Sequence, residues 1–450
     1  MKKTLIILLS ISLFSCEKKL EIVPDYKFPA ELATSNLDSL EKITNGTFNQ
    51  LQSGNLFGGG LIANSELLAD NWDAPPISSF SLNQLRTREM NAYNGESTGL
   101  WNDGYRAINM ANIVLHHLPE YQEQDIEKAK LLEGECLFIR AICHFEMLRM
   151  FSQAAGFTSD NSHLGIPIRL TKGSATEEQN NPRNTVEQVY NQIIEDLEAS
   201  YILLPSNKNA RVSKWAAMAY LSKVYFQKND FQNALFWSDA VIESSEFSLN
   251  TNVDDIYSIS GWNFTNESIF QMINIAEDMS NGTLTGRLKY QDVIYYSPFD
   301  SLIDIINDDR TQLNYKIFGS LKRLAKYKNQ AMNITIIRLA EMYLNRAECK
   351  THLGSYSDAE IREDYNIIRL RANNTADNTT SGTENLLNII HSERWYELGF
   401  EGDRFHDIKR RKENFNSFIG IFSWDDPKLI YPIPQQEIDQ NSNMIQNEGY

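Results

Sequence analysis

The chain has 450 residues, 42% of them hydrophobic and 11% aromatic, and carries a net charge of −17. That much apolar material builds a large core and leaves little disorder away from the ends. A surface this acidic disfavours nucleic acid and anionic lipid headgroups, which carry the same sign, and leaves neutral sugars unaffected.

Residues 1–15 combine a basic start (Lys2, Lys3) with an apolar run over 5–14 and a small Ser15 before Cys16. The run is too short to span a membrane, so it reads as a secretion signal. Leu13-Phe14-Ser15-Cys16 has the form of a lipobox, which makes Cys16 the expected acylated N-terminus. Several acyl chains on that cysteine would anchor the protein stably. No later stretch approaches about 18 apolar residues, so the lipid is the expected membrane attachment. Residues 16–28 then form a polar, proline-containing tether.

A helix is predicted over 36–51 with Asn36 as its cap, then a glycine-rich loop over 54–60 and helical spacing over 61–69. Residues 70–99, with Trp72, Pro75, Pro76 and Tyr93, read as a first long irregular segment. Trp101, Tyr105, Ile108, Ile113 and Leu118 mark the next helix. The stretch 133–151 is apolar nearly all round. Leu137, Ala141, His144, Phe145 and Leu148 line one side, and Cys136, Ile139, Cys143, Met147 and Met150 another. Such a helix needs neighbours on every side and belongs at the centre of a helical protein. Arg140 within it requires a carboxylate or several carbonyls. Cys136, Cys143 and Cys349, with no Cys-x-x-Cys or Cys/His spacing, read as small core residues, and no metal site or cofactor is implied.

Further helices fit 185–204, capped near Asn184 and stopped by Pro205, and 389–412. Residues 213–247 and 337–371 form an internal repeat: Ser222 falls on Ala347, Asp230-Phe231 on Ser355-Tyr356, and Ala234 on Ala359. Small residues at a close helix contact, with an aromatic after the turn, are similar to tetratricopeptide hairpins. Residues 248–330 form a second irregular insertion, with Trp262, Phe264, Tyr290, Tyr295, Tyr296 and Phe299 among Asn, Ser, Gly and Thr.

Several stretches together carry a family resemblance. These are Gly134-Glu135-Cys136-Leu137-Phe138-Ile139-Arg140-Ala141 with His144-Phe145 and Leu148-Arg149-Met150-Phe151, then Gly165-Ile166-Pro167-Ile168. Trp101-x-x-x-Tyr105-Arg106-x-Ile108-Asn109-x-x-Asn112, Glu393-Arg394-x-x-Glu397-Leu398-x-x-Glu401-Gly402-x-Arg404-x-x-Asp407 and the tail from Tyr431-Pro432-Ile433-Pro434 to Tyr450 complete the set. In these the chain resembles the SusD-like (RagB/SusD) family of outer-membrane lipoproteins. Ser152 stands where the family's glycine usually follows the closing aromatic. The resemblance implies a mostly α fold: a scaffold of tetratricopeptide-like helical hairpins carrying loop-rich ligand-binding insertions. It implies one domain over 29–450, with insertions at about 70–99 and 248–330. It further implies a lipid-anchored protein on the outer membrane, facing the exterior. Such a protein binds a nutrient, most often a glycan, and passes it to a partner SusC-like TonB-dependent transporter without catalysis. The same architecture binding peptides or another nutrient is the alternative, followed by a surface glycoside hydrolase.

The residues offer few catalytic constellations. Gly95-Glu96-Ser97-Thr98-Gly99 fits the spacing of a serine-hydrolase elbow but lacks a preceding strand. Glu393, Glu397, Glu401, Asp403, Arg404 and His406 form the most enzyme-like cluster, since paired carboxylates cleave glycosides. Arg338, Arg346 and Glu348 are at hand as partners, so a salt-bridged seam is the expected arrangement. His116, His117, His391 and Glu393 lack zinc-helix spacing, and His144 reads as a bonded core histidine. Trp215, Trp237 and Trp395 sit at helical spacing and read as core. The loop aromatics are left. A sugar's C–H face stacks on flat rings while amides and carboxylates bond its hydroxyls. The predicted ligand contacts are Trp72 with Asn71 and Asp73, Trp101 with Asn102, and Trp262 with Tyr290, Tyr295 and Tyr296.

Overall fold

A computed structural model describes residues 33–71, 79–172, 180–209, 211–274, 308–314, 316–318, 321–327, 331–417 and 419–450. The signal, Cys16 and the tether lie outside them, as do Trp72, Asp73, Tyr290, Tyr295 and Tyr296. The described chain is mostly helical. Helix α1 (Leu37–Leu51) is capped by Asn36, whose side chain accepts from Ser39 N. Helices α2 (Gly60–Leu68), α3 (Phe80–Thr87), α4 (Gly95–Tyr121) and α5 (Ile126–Phe151) follow.

The segment expected to be irregular over 70–99 therefore holds α3 and the first turn of α4. Both starts are polar, which hid them. Ser79 caps α3 by accepting from Leu82 N, and Asn94 caps α4 by accepting from Glu96 N and Ser97 N. These caps satisfy orphan donors that the apolar pattern alone does not register.

Helix α5 is buried along most of its length and sits against α4, α6 (Val186–Leu203) and α1. Thr185 opens α6 with a capping box shared with Gln188. The array continues as α7 (Lys214–Gln227) on α6, α8 (Phe231–Glu243) on α7, and α10 (Leu339–Leu353) on α8. Helices α11 (Asp358–Arg371) and α12 (Thr383–Leu398) then pack on α10. The two repeats seen in the sequence are the hairpins α7–α8 and α10–α11. Ser222 and Ala347 are both fully buried, where small side chains let helices approach. No described helix is long and apolar enough to cross a membrane.

The second insertion opens after α8 and closes at α10. Strand β1 (Ser268–Met272) pairs antiparallel with β4 (Ile334–Arg338), Ser268 facing Arg338 and Met272 facing Ile334. Strand β4 runs directly into α10, so the insertion leaves and returns side by side. The short α9 (Asp309–Asn314) and the pair β2 (Lys316–Phe318) and β3 (Leu321–Arg323) lie between them. After α12 come α13 (Arg404–Arg411), the hairpin β5 (Phe415–Ser417) and β6 (Gly420–Phe422), and α14 (Gln435–Gln440).

Arg140 of α5 meets its expected carboxylate. Its Nε and Nη2 donate to both oxygens of Asp196 on α6, at 2.8 and 2.6 Å, and Nη1 donates to Asn112 of α4 at 3.0 Å. One side chain thus ties three helices. Arg140→Met should cost about 3–5 kcal/mol in urea unfolding, because Asp196 is left buried and unpaired. Arg140→Met combined with Asp196→Leu should recover much of that loss.

Candidate ligand-binding site

The enzyme-like cluster is spent on structure. Arg338, at the end of β4, donates Nη1 to Glu267 at 2.7 Å and to Glu397 at 2.5 Å, and Nε to Glu401 at 2.9 Å. Arg310 reaches Asp308 at 2.6 Å, Glu393 at 2.9 Å and Glu397 at 3.5 Å. Arg371 pairs with Glu267 at 2.8 Å and with Glu397, and Arg369 pairs with Glu393. Asp403 is bound through both oxygens by Arg394, at 2.7 Å each, and Arg404 grips Asp70. Arg346 and Glu348, expected to join this seam, serve neighbouring pairs. Arg346 bonds Asp364 and Asp239, and Glu348 takes Arg410 at 2.7 Å. Carboxylates held this way by guanidinium groups are hydrogen-bond acceptors already in use. Ser97 of the Gly-x-Ser-x-Gly run sits in the first turn of α4 and donates to Pro432 O. Among the described residues no group of three His, Cys, Asp or Glu side chains could hold a metal ion.

Two predicted ligand contacts are corrected. Trp101 is 1% exposed and packs edge-on against Tyr105 and Phe151, with centroids 4.9 and 5.0 Å away. It lies on the α4 face that meets α5, one turn from Tyr105, and is a core ring. Asn71 is fully buried: its Nδ2 donates to Glu66 at 2.6 Å, and its Oδ1 accepts from Trp395 Nε1. Burial pushes the Glu66 carboxyl up to about 7. Both ends of the Asn71 amide thus serve the interior. Asn102 is exposed on α4. His144 is a core histidine as expected; burial lowers it to about 3, so the ring is neutral.

Trp262 stands apart. It is 68% exposed, on the turn that leads into β1. The turn itself is fixed from beneath. Asn333 Nδ2 donates to Gly261 O at 2.8 Å, and its backbone N donates to Ile259 O at 2.8 Å. Gly261 N donates to Asn274 O at 2.7 Å, with Gly261 at φ +64, a left-handed conformation that glycine adopts without strain. Asn274 N donates in turn to Asn333 Oδ1 at 2.9 Å, and Gln271 Nε2 to Asn263 O at 2.9 Å. Asn333 and Asn274 are themselves buried. An exposed indole is thereby held on a rigid support.

Beside it opens a cleft of about 380 Å³ between β1 and α1. Phe48, Phe270 and Met272 give it an apolar floor, and Asn45, Asn49 and Gln52 of α1 supply amides along one wall. Gln52 also donates to Ile273 O at 2.8 Å, bridging the two walls. Gln271, on the opposite wall, keeps its Oε1 without a hydrogen-bond partner among the described residues. Arg211, between α6 and α7, lies over the Phe48 ring at 4.1 Å. It pairs with Glu135 of α5 and donates to Asn45. Phe270 is seated against Phe138 of α5 with centroids 5.0 Å apart, so the cleft floor rests on the central helix. The α1 wall is absent from the predicted contacts. Its signal was Asn45, Asn49 and Gln52 at i, i+4 and i+7, which share one helix face beside Phe48.

An array of stacked helical hairpins, holding a rigid loop aromatic over an amide-lined cleft, defines a repeat-scaffold binding protein. The chain belongs to the SusD-like family. Residues 20–226 match a SusD-like family model described as "Starch-binding associating with outer membrane", and residues 259–450 match the SusD family. A SusD-like protein P38 of Formosa agariphila is 21% identical, with 99% of this chain and 98% of that one aligned. A crystal structure of a putative sugar binding protein from Bacteroides vulgatus is 27% identical, covering 92% of this chain and 98% of that one, with a TM-score of 0.81. A laminarin-binding SusD-like protein superimposes with a TM-score of 0.76 at 20% identity, over 92% of this chain and 99% of that one.

The pH behaviour of the buried seam is testable. Burial by itself would raise the Glu401 carboxyl, but Arg338 and Lys326 overrule it and hold it down to about 2, against an ordinary 4.5. The folded state thus binds that proton more weakly than the unfolded chain. The stabilisation is whole above about pH 4.5 and is lost as pH falls toward 2, amounting to about 3 kcal/mol. Wild type should therefore lose stability steeply over that window. Glu401→Gln should be less stable at pH 7 and show a flatter acid limb in chemical denaturation run from pH 7 to pH 3.

Proposed function

We propose that this protein is an outer-membrane surface lipoprotein that binds a nutrient glycan without turning it over and delivers it to a SusC-like TonB-dependent transporter. The observation that carries the reading is Trp262, exposed on a turn whose backbone is fixed by Asn333, Asn274 and Gln271. A preset ring costs little ordering entropy when a sugar face stacks on it, and the amides of α1 are suited to the hydroxyl rim. The family's description as starch-binding, and laminarin binding by a neighbour of the same fold, support a carbohydrate ligand. Trp72, Asp73, Tyr290, Tyr295 and Tyr296 are proposed as further contacts, and Asn102 as a peripheral one. The domain runs over 29–450, behind a cleaved signal over 1–15 and a lipidated tether over 16–28.

Two measurements test this. Titration of Trp262→Ala with a polysaccharide that wild type binds should show affinity weakened by about 1–3 kcal/mol, roughly five- to 150-fold. Its thermal midpoint should hardly move, since the ring is exposed. Unchanged affinity would put the binding face elsewhere. For the anchor, Cys16→Ala should shift the protein from the membrane to the soluble fraction on cell fractionation, and continued membrane retention would refute lipidation there.

A further inference from the structure

We infer that the cleft beside Trp262 selects uncharged sugars over uronates and sulfated sugars, because the cation on its wall is neutralised from behind by Glu135. This rests on the cleft being the glycan site. Arg211 is the one charged side chain among the described residues lining the cleft. Left alone, a guanidinium beside a sugar platform would be a ready receptor for a carboxylate or sulfate. It is not left alone. Arg211 Nε donates to Glu135 Oε1 at 3.1 Å and Nη2 to Oε2 at 2.5 Å, a two-pronged pair, while Nη1 donates to Asn45 Oδ1. Both Glu135 oxygens accept from N–H groups, which is the arrangement of an ionised carboxylate. Glu135 is 2% exposed on the central helix, so the negative charge reaches the cleft through Arg211 without being presented to the ligand. The guanidinium also covers the Phe48 face, which holds it in place and removes that ring as a second platform.

After these bonds, one N–H on Nη1 and one on Nη2 are left over. These are neutral-pair donors suited to hydroxyl oxygens, as are the amides of Asn49 and Gln52. The whole chain is acidic as well, so a polyanion is repelled on approach. A charged sugar on those two N–H groups would put a second negative charge on a guanidinium whose charge Glu135 already balances, and taking the guanidinium over entirely would leave a buried carboxylate unpaired. The pair therefore acts as a specificity determinant: it keeps the geometry of an arginine site and cancels its charge.

The test uses matched probes, laminarin and starch, each alongside its C6-oxidised derivative, in which the same backbone carries carboxylates. Affinity electrophoresis and calorimetry on the full mature chain should give wild type at least about tenfold tighter binding to the neutral form of whichever backbone it takes. Glu135→Gln should keep neutral binding within about twofold and gain about ten- to a hundredfold for the oxidised form, from a new charge-assisted bond to Arg211. That gain should fade as salt is raised and vanish in Glu135→Gln/Arg211→Gln. Equal wild-type binding of neutral and oxidised forms overturns the inference, with or without a folded Glu135→Gln. So does a folded Glu135→Gln with no gain. If instead neutral binding is indifferent to Trp262→Ala, the placement of the glycan site has failed, and the charge argument falls with it.

Discussion

Arg338 is the constraint on which the face that bears Trp262 depends. It ends β4, immediately precedes α10, and is 1% exposed with three carboxylates around it: Glu267 just before β1, Glu397 in the last turn of α12 and Glu401 in the turn after it. Two guanidinium groups from elsewhere, Arg310 and Arg371, share those carboxylates. A buried network of this kind adds little net stability over an apolar core, because desolvation consumes most of the Coulomb gain. What it supplies is position. With every carboxylate bonded at once, the root of the insertion has one arrangement relative to the helical stack, and a shifted one leaves charges unpaired.

That fixed root accounts for how an acidic helical protein comes to hold a rigid ring toward solvent. Phe138 on the central helix seats Phe270 on β1, which forms the cleft floor, and Asn333 at the start of the returning strand fastens the turn that bears Trp262. The chain of support runs from the central helix to an exposed indole through packed rings and hydrogen-bonded amides. Binding sites gain more from such preset geometry than from added surface.

The frame was readable in the sequence because its signals are local and periodic. The all-round apolar 133–151 stretch, the Arg140 within it, the capped start at Asn36 and the Ser222/Ala347 repeat each state one physical requirement that the fold meets, while the cap expected near Asn184 falls on Thr185. The site was less readable, for a different reason. Loop composition identifies which aromatics lack a helical stripe, but not which way a ring turns. Trp101 borders a polar segment, yet Tyr105 four residues on shares its face and draws it inward. Asn71 looks like a sugar ligand until Glu66 and Trp395 claim both ends of its amide. Trp262, picked out for its place in an irregular segment, is exposed in the structure. The α1 wall was not, since Asn45, Asn49 and Gln52 form an ordinary solvated stripe until β1 is laid opposite.

The antiparallel pairing of β1 with β4 has a consequence for how such proteins diversify. Because the two strands leave and re-enter the stack at adjacent positions, everything between them closes on a fixed hinge of backbone hydrogen bonds. Doubling the length of a loop closed in this way costs only about 0.6 kcal/mol in closure entropy. The intervening stretch can therefore change in length and composition at small cost to the architecture that carries it.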